Sequence, residues 1–238
     1  MSDTPASLRS SGDASILKDL KRPSAFLFDF SGTLVNDLEI TIEAINQVIR
    51  EIGATTVKLR SNEFKRKFRS PYWQFLDQFG VSRTAAETVA PKIFQNAYLG
   101  LIRRARMFPD VAECLLKFKA AKTRTGIVSS TPKSVIARVL EINRMQHFDI
   151  IVGLEDCEDL KPSPLPIVRA SERLGRDCEE VAYVGDMVED VVSAQRAGAM
   201  PIVVWRGDNS YQSLSELKRS RPAMLVTTLA QISCRFGV

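Results

Sequence analysis

The stretch Phe26-Leu-Phe-Asp29-Phe-Ser31-Gly-Thr33-Leu-Val35 decides the fold. An apolar run ends in a single carboxylate, and a Gly-Thr turn follows at once. Such a run reads as a strand buried on both faces of a parallel sheet, and the turn as the point where the chain leaves it. Open α/β sheets bind ligands at the carboxyl edge of their strands, so Asp29 stands where a ligand would. Taken alone, Asp29 has two readings: a nucleophile and metal ligand, or a cap for the next segment.

Downstream the chain alternates strand and helix. Strands are expected at Thr125–Ser129, Phe148–Val152, Val181–Val184, Pro201–Trp205 and Met224–Thr227. Helices are expected between them, from Asp110, Thr131-Pro132, Pro164 and Val188. Strands spaced by helices of this length form a parallel sheet with helices on both faces. Thr131 and Asp110 read as helix caps.

One segment breaks the alternation. From 37 to 106 only helical patterns occur, beginning with the stripe Leu38, Ile42, Ile45, Ile49 and Ile52 and its stop at Gly53. Pro71 suits the first turn of another helix, and the helix after Ser82 is expected to break near Pro91. The expected layout is a Rossmann-like α/β core at 23–36 and 107–238, with an α-helical cap at 37–106 inserted after the first strand. Residues 1–22 read as a flexible extension with one short helix at Ser15–Leu20. An insertion at that point hangs over the carboxyl edge of the sheet, the position of a lid.

Composition narrows the function. A hydrophobic share of 45% with 26% charged residues is that of a globular chain of 238 residues. No apolar run reaches the length of a membrane span or a signal sequence, which predicts a cytoplasmic protein without a membrane partner. The four cysteines, Cys114, Cys157, Cys178 and Cys234, form no C-x-x-C pair, against a disulfide framework or zinc site. The single histidine, His147, argues against a multi-histidine metal site and lies far from any G-x-S-x-G elbow. The net charge of +5 gathers at Lys65–Arg69, Arg103–Arg106 and Lys117–Arg124. These clusters lack interleaved aromatics, so they read as solvated helix faces or attractors of phosphate esters rather than nucleic-acid sites.

The polar strand ends carry the chemistry. Asp29 and Ser31 end the first strand, Ser129 and Ser130 the next, and Gly185-Asp186 a third, with Asp190 four residues on. Lys161, in Leu160-Lys-Pro-Ser-Pro164, precedes a helix on the same side. Three carboxylates at one edge repel unless a cation lies between them, and oxygen-only ligands suit Mg²⁺ bridging to a phosphate. A lysine and a hydroxyl would meet the remaining phosphate oxygens, and a carboxylate can form an aspartyl-phosphate.

Four segments in this order, Phe26–Leu34, Gly126–Ser130, Lys161–Pro164 and Val184–Asp190 with Ala197-Gly-Ala199, resemble the haloacid dehalogenase superfamily. The likeness is to its phosphoglycolate-phosphatase-like branch with a helical cap. The resemblance implies Asp29 as nucleophile and Mg²⁺ ligand, with the main-chain carbonyl of Ser31 also on the metal. It implies Ser129 on the phosphoryl group with Ser130 beside it, and Lys161 balancing charge. Asp186 would bind Mg²⁺, with Asp190 as an alternate or supporting ligand. The implied substrate is a small phosphorylated metabolite, and the implied assembly a monomer or homodimer.

Ser31 departs from the pattern. Phosphatases of this family carry an aspartate there that protonates the leaving group and activates water, help worth about 10²–10⁴-fold. A serine points to substrates with good leaving groups, or to a water or cap residue acting instead. The alternatives are a phosphonoacetaldehyde-hydrolase-like enzyme with a cap lysine, a dehalogenase, and a binding or regulatory module with weak turnover. The segment Lys65–Trp73 is the expected substrate selector.

Overall fold

The computed structural model describes residues 20–55, 58–69, 72–145 and 148–238. The expectations for Ser15–Leu20, Pro71 and His147 fall wholly or almost wholly outside these residues.

Six parallel strands form the main sheet, in the spatial order β5-β4-β1-β6-β7-β8. They are β1 (Ala25–Phe28), β4 (Arg124–Val128), β5 (Ile150–Val152), β6 (Val181–Gly185), β7 (Met200–Val204) and β8 (Met224–Val226). All four residues of β1 are fully buried because β4 and β6 flank it and helices cover both faces. Phe26 and Phe28 point to one face, where Phe118 lies 4.5 Å and 6.0 Å from their rings, centroid to centroid. Ala25 and Leu27 point to the other, against Ile167, Ala170 and Tyr183. This two-sided burial is why β1 reads as an unbroken apolar run rather than an alternating one.

The first face is covered by α6 (Val111–Ala120), α7 (Lys133–Ile142) and α11 (Leu229–Phe236), the second by α8 (Leu165–Leu174) and α9 (Val188–Ala197). The chain runs outward through β4 and β5, then returns to place β6 on the other side of β1. The strand order therefore reverses at β1, and its carboxyl end lies at the crevice where such sheets bind ligands.

Between β1 and β4 lies the helical segment: α1 (Leu38–Ile52), α2 (Ser61–Lys67), α3 (Tyr72–Asp77), α4 (Arg83–Thr88) and α5 (Ala90–Leu101). It has a core of its own, in which Ile42, Ile49, Phe64, Phe75 and Phe79 pack together. The break between α4 and α5 falls at Val89, just before Pro91, whose missing N–H prevents one continuous helix. A short antiparallel pair, β2 (Val35–Asn36) and β3 (Arg106–Met107), joins the two connections at the base of this segment. A further short helix, α10 (Leu214–Arg219), precedes β8. Among the described residues no helix is long and apolar enough to cross a membrane.

Two expected caps differ. Thr131 does not cap α7; the Glu155 carboxylate accepts the Lys133 N–H at 3.0 Å instead. Asp110 precedes α6, but its side chain makes no capping bond to the first turn. Its Oδ2 accepts from Arg206 Nη1 at 2.8 Å and from the Leu229 N–H at 2.6 Å, a tie to the start of α11 on the same face that outcompetes local capping.

Candidate active site

Asp29 sits one residue past β1, with its N–H bonded to the Val184 carbonyl at 2.8 Å. Asp186 follows β6, and Ser129 follows β4 with its N–H on the Val152 carbonyl at 3.0 Å. Pairing of adjacent parallel strands thus brings the three side chains to one edge. Lys161 enters from the loop before α8 and lies 2.9 Å from Asp29 Oδ1 and 2.6 Å from Asp190 Oδ1. Its ammonium also donates to Tyr183 Oη at 3.0 Å, and that hydroxyl donates to the Val128 carbonyl at 2.9 Å. Burial opposes the Lys161 charge, but Asp190 and Asp29 outweigh it and hold its pKa well above the ordinary value.

Asp190 uses both oxygens. Oδ1 meets Lys161, and Oδ2 accepts the N–H groups of Asp186 and Met187 at 3.0 and 2.9 Å, closing the first turn of α9. Gly185 makes that approach possible, since a Cβ there would lie 2.3 Å from the Asp190 carboxyl. Asp186 is held by Thr33, whose hydroxyl donates to Oδ1 at 3.0 Å. Arg206 in turn fixes Thr33, donating from Nη2 to its carbonyl at 2.8 Å. Asp186 Oδ2 is buried and lacks a hydrogen-bond partner among the described residues. Gly32, at φ +75°, lies against it; a Cβ there would come within 2.3 Å of that oxygen.

Carboxylate oxygens of Asp29, Asp186 and Asp190 can be chosen that all lie within 4.8 Å of one another. Three acids face one ammonium. Burial, then the neighbouring acids, raise the Asp186 pKa well above its ordinary value. Burial also raises that of Asp29, against the pull of Lys161. An oxygen set with a surplus of negative charge and one unpartnered carboxylate oxygen fits a divalent cation.

Ser129 Oγ is buried, accepts the Thr131 N–H at 3.3 Å and donates to Thr131 Oγ1 at 3.2 Å. Ser130 is exposed at the rim of the cavity above Asp29. Ser31 lines the same cavity, and its hydroxyl donates to Asp37 Oδ2 at 2.8 Å. Asp37 is almost fully buried and also accepts from Tyr98 Oη of α5 at 2.7 Å and Tyr211 Oη at 3.2 Å. Burial pushes the Asp37 pKa up to about 6, although these hydrogen bonds pull the other way. A residue just before a helix is ordinarily its cap. Asp37 makes no such bond to α1, because its side chain turns towards Ser31.

A family model described as haloacid dehalogenase-like hydrolase matches residues 26–204. The chain belongs to this hydrolase family. Among curated relatives, it is 28% identical over 212 residues to a putative pyrophosphatase, PpaX, of Caldanaerobacter subterraneus subsp. tengcongensis. That alignment covers 88% of this chain and 92% of the relative. It is 26% identical over 190 residues to a phosphoglycolate phosphatase of Xanthomonas campestris, covering 77% and 83% of the two chains. A solved haloacid dehalogenase-like hydrolase from Bacteroides fragilis, described as putative, superposes with a TM-score of 0.79 at 24% identity, covering 88% of this chain and 99% of that one. The family match runs from within β1 to the end of β7 and includes Asp29, Ser31, Ser129, Lys161, Asp186 and Asp190; Arg206 and Tyr211 lie beyond it.

Sequence reasoning missed Asp37, Thr33, Tyr183 and Arg206. Each carries a local reading, as cap, turn, core aromatic or surface cation, that hides a partner more than fifty residues away, except that Asp37 meets Ser31 only six residues off.

Proposed function

We propose that the chain is a Mg²⁺-dependent phosphatase acting on a small phosphorylated metabolite through an aspartyl-phosphate on Asp29. The observation that carries this reading is the convergence of Asp29, Lys161 and Asp186 at one buried edge, with Asp29 Oδ1 2.9 Å from Lys161 Nζ. Mg²⁺ would be held by Asp29, Asp186 and the main-chain carbonyl of Ser31, with Asp190 beside them, and would supply charge neutralisation for the phosphoryl oxygens. An Asp29 oxygen attacks phosphorus, and the bond to the leaving oxygen breaks. Water then attacks phosphorus, the bond to Asp29 breaks, and phosphate leaves with the carboxylate restored. Lys161 neutralises charge on Asp29 and on the phosphoryl group, and the Ser129 hydroxyl binds a phosphoryl oxygen. Asp190 anchors Lys161.

Ser31 presents a hydroxyl already committed to Asp37, so the leaving oxygen receives no carboxyl proton directly from position 31. Esters whose leaving groups need little protonation are favoured. The helical segment 37–106 acts as a cap over the edge, selecting substrate with its cavity-facing side chains.

A panel of phosphate esters tests this reading. Phosphate release should require Mg²⁺, stop with chelator and vanish in Asp29→Asn. Undiminished release in that variant would refute it.

A further inference from the structure

The cavity above Asp29 has a volume of about 540 Å³. Its upper wall is built mainly from apolar side chains of the helical segment, Ile45, Val48, Phe68, Phe75, Leu76 and Phe94, with neutral polar ones such as Gln95 between them. The sheet side adds Val135 and Leu160. Among the described lining residues Lys161 is the sole cation, and it lies against Asp29 and Asp190. The other charged lining residues, Glu87 and Glu189, are acids.

The basic residues expected to select substrate turn elsewhere. Lys65 Nζ donates to the Asp208 carbonyl at 2.6 Å, Lys67 pairs with Glu63 at 2.7 Å, and Arg69 pairs with Glu216. Among the described residues, what α2 and the turn after it give the cavity is Phe68. A second anion on the substrate would therefore be desolvated against aromatic and aliphatic walls, with acids and no spare cation nearby. Burying a charge in this way is strongly unfavourable unless it is paired. An apolar group in the same place is drawn in.

We propose that the leaving group of the substrate is apolar, a phenol-type aromatic alcohol without a second anionic group. This rests on the phosphatase reading of the site. It separates the chain from relatives named for phosphoglycolate and pyrophosphate, each of which carries a further anion beyond the transferred phosphoryl group.

The test compares phenyl phosphate with 4-carboxyphenyl phosphate, in Mg²⁺, by kcat/KM. In parallel, calorimetry compares binding of the unhydrolysable benzylphosphonate and 4-carboxybenzylphosphonate. Phenyl phosphate should be preferred by at least about tenfold, and benzylphosphonate should bind more tightly by a similar factor. Gln95→Lys, which adds a cation to the wall, should narrow the preference by about tenfold. Preference for 4-carboxyphenyl phosphate, equal use of both, or equal binding overturns the proposal while leaving the phosphatase reading intact. Selective binding of benzylphosphonate without phosphate release from either ester supports the apolar site and instead overturns the phosphatase reading. Absence of binding by both phosphonates overturns the proposal.

Discussion

The Ser31 hydroxyl donates a 2.8 Å hydrogen bond to Asp37 Oδ2. A carboxylate thus lies directly behind the serine, buried between Tyr98 of α5 and Tyr211. Asp37 links the site edge to the helical segment that overlies it.

This pairing makes the Ser31→Asp substitution costly. A half-buried carboxyl would face the buried one of Asp37, and either a proton or a displacement must separate them. We expect Ser31→Asp alone to lose about 1–3 kcal/mol in urea unfolding, and the exchange Ser31→Asp with Asp37→Ser to recover most of it. Purely additive effects in this double-mutant cycle would show that the two side chains are not coupled.

Asp37 also predicts a pH dependence. Its carboxyl titrates at about 6 in the folded chain, against an ordinary value of 3.8, chiefly because of burial. The folded state then holds the proton more tightly than the unfolded state. This stabilising contribution is complete below about pH 4 and is lost as pH rises through 6. In metal-free buffer the stability of wild type relative to Asp37→Asn should fall by on the order of 2–3 kcal/mol between pH 4 and pH 7. A difference that stays constant with pH contradicts this.

Metal binding should appear in stability as well as in activity. A ligand at a hundred times its Kd adds about 2.7 kcal/mol to the folded state. Thermal unfolding should shift upward with Mg²⁺ in wild type, and much less in Asp186→Asn. Gly32→Ala should behave like Asp186→Asn, because its new Cβ would collide with Asp186 Oδ2. An undiminished Mg²⁺ shift in both variants would remove Asp186 from the metal site.

Lys161→Met tests the charge balance. It leaves Asp29 and Asp190 without their buried cation, a loss of about 3–5 kcal/mol when one partner of such a pair is removed. Urea unfolding without metal should show that loss, and added Mg²⁺ should offset part of it. Wild-type stability in the variant would mean that the pair is energetically idle.

The parts of this site that could be read in the sequence are those fixed by strand order. Asp29, Ser129 and Asp186 each follow an apolar run, and parallel pairing of those runs brings their ends to one edge. The core was legible for the same reason, since full burial of β1 forces an unbroken apolar stretch. Tertiary partners were not legible. Asp37 looks like a helix cap, yet it meets Tyr98 and Tyr211 from 61 and 174 positions away. Asp110 and Thr131 look like caps too, and distant groups take over in both cases. The pairing of β2 with β3 involves two residues on each strand, too few for any period to show. The basic run around Lys65 left two readings open, a solvated face or an attractor of phosphate esters, because its direction depends on partners at 208 and 216, in another part of the chain.

The central claim is that Asp29 carries the phosphoryl group. The most direct measurement is acid quenching of the enzyme during turnover of p-nitrophenyl phosphate with Mg²⁺, followed by peptide mapping by mass spectrometry. The account predicts a phosphoryl adduct on the peptide containing Asp29, absent without Mg²⁺ and absent in Asp29→Asn. An unmodified Asp29 peptide throughout turnover, together with wild-type phosphate release by Asp29→Asn, would contradict it.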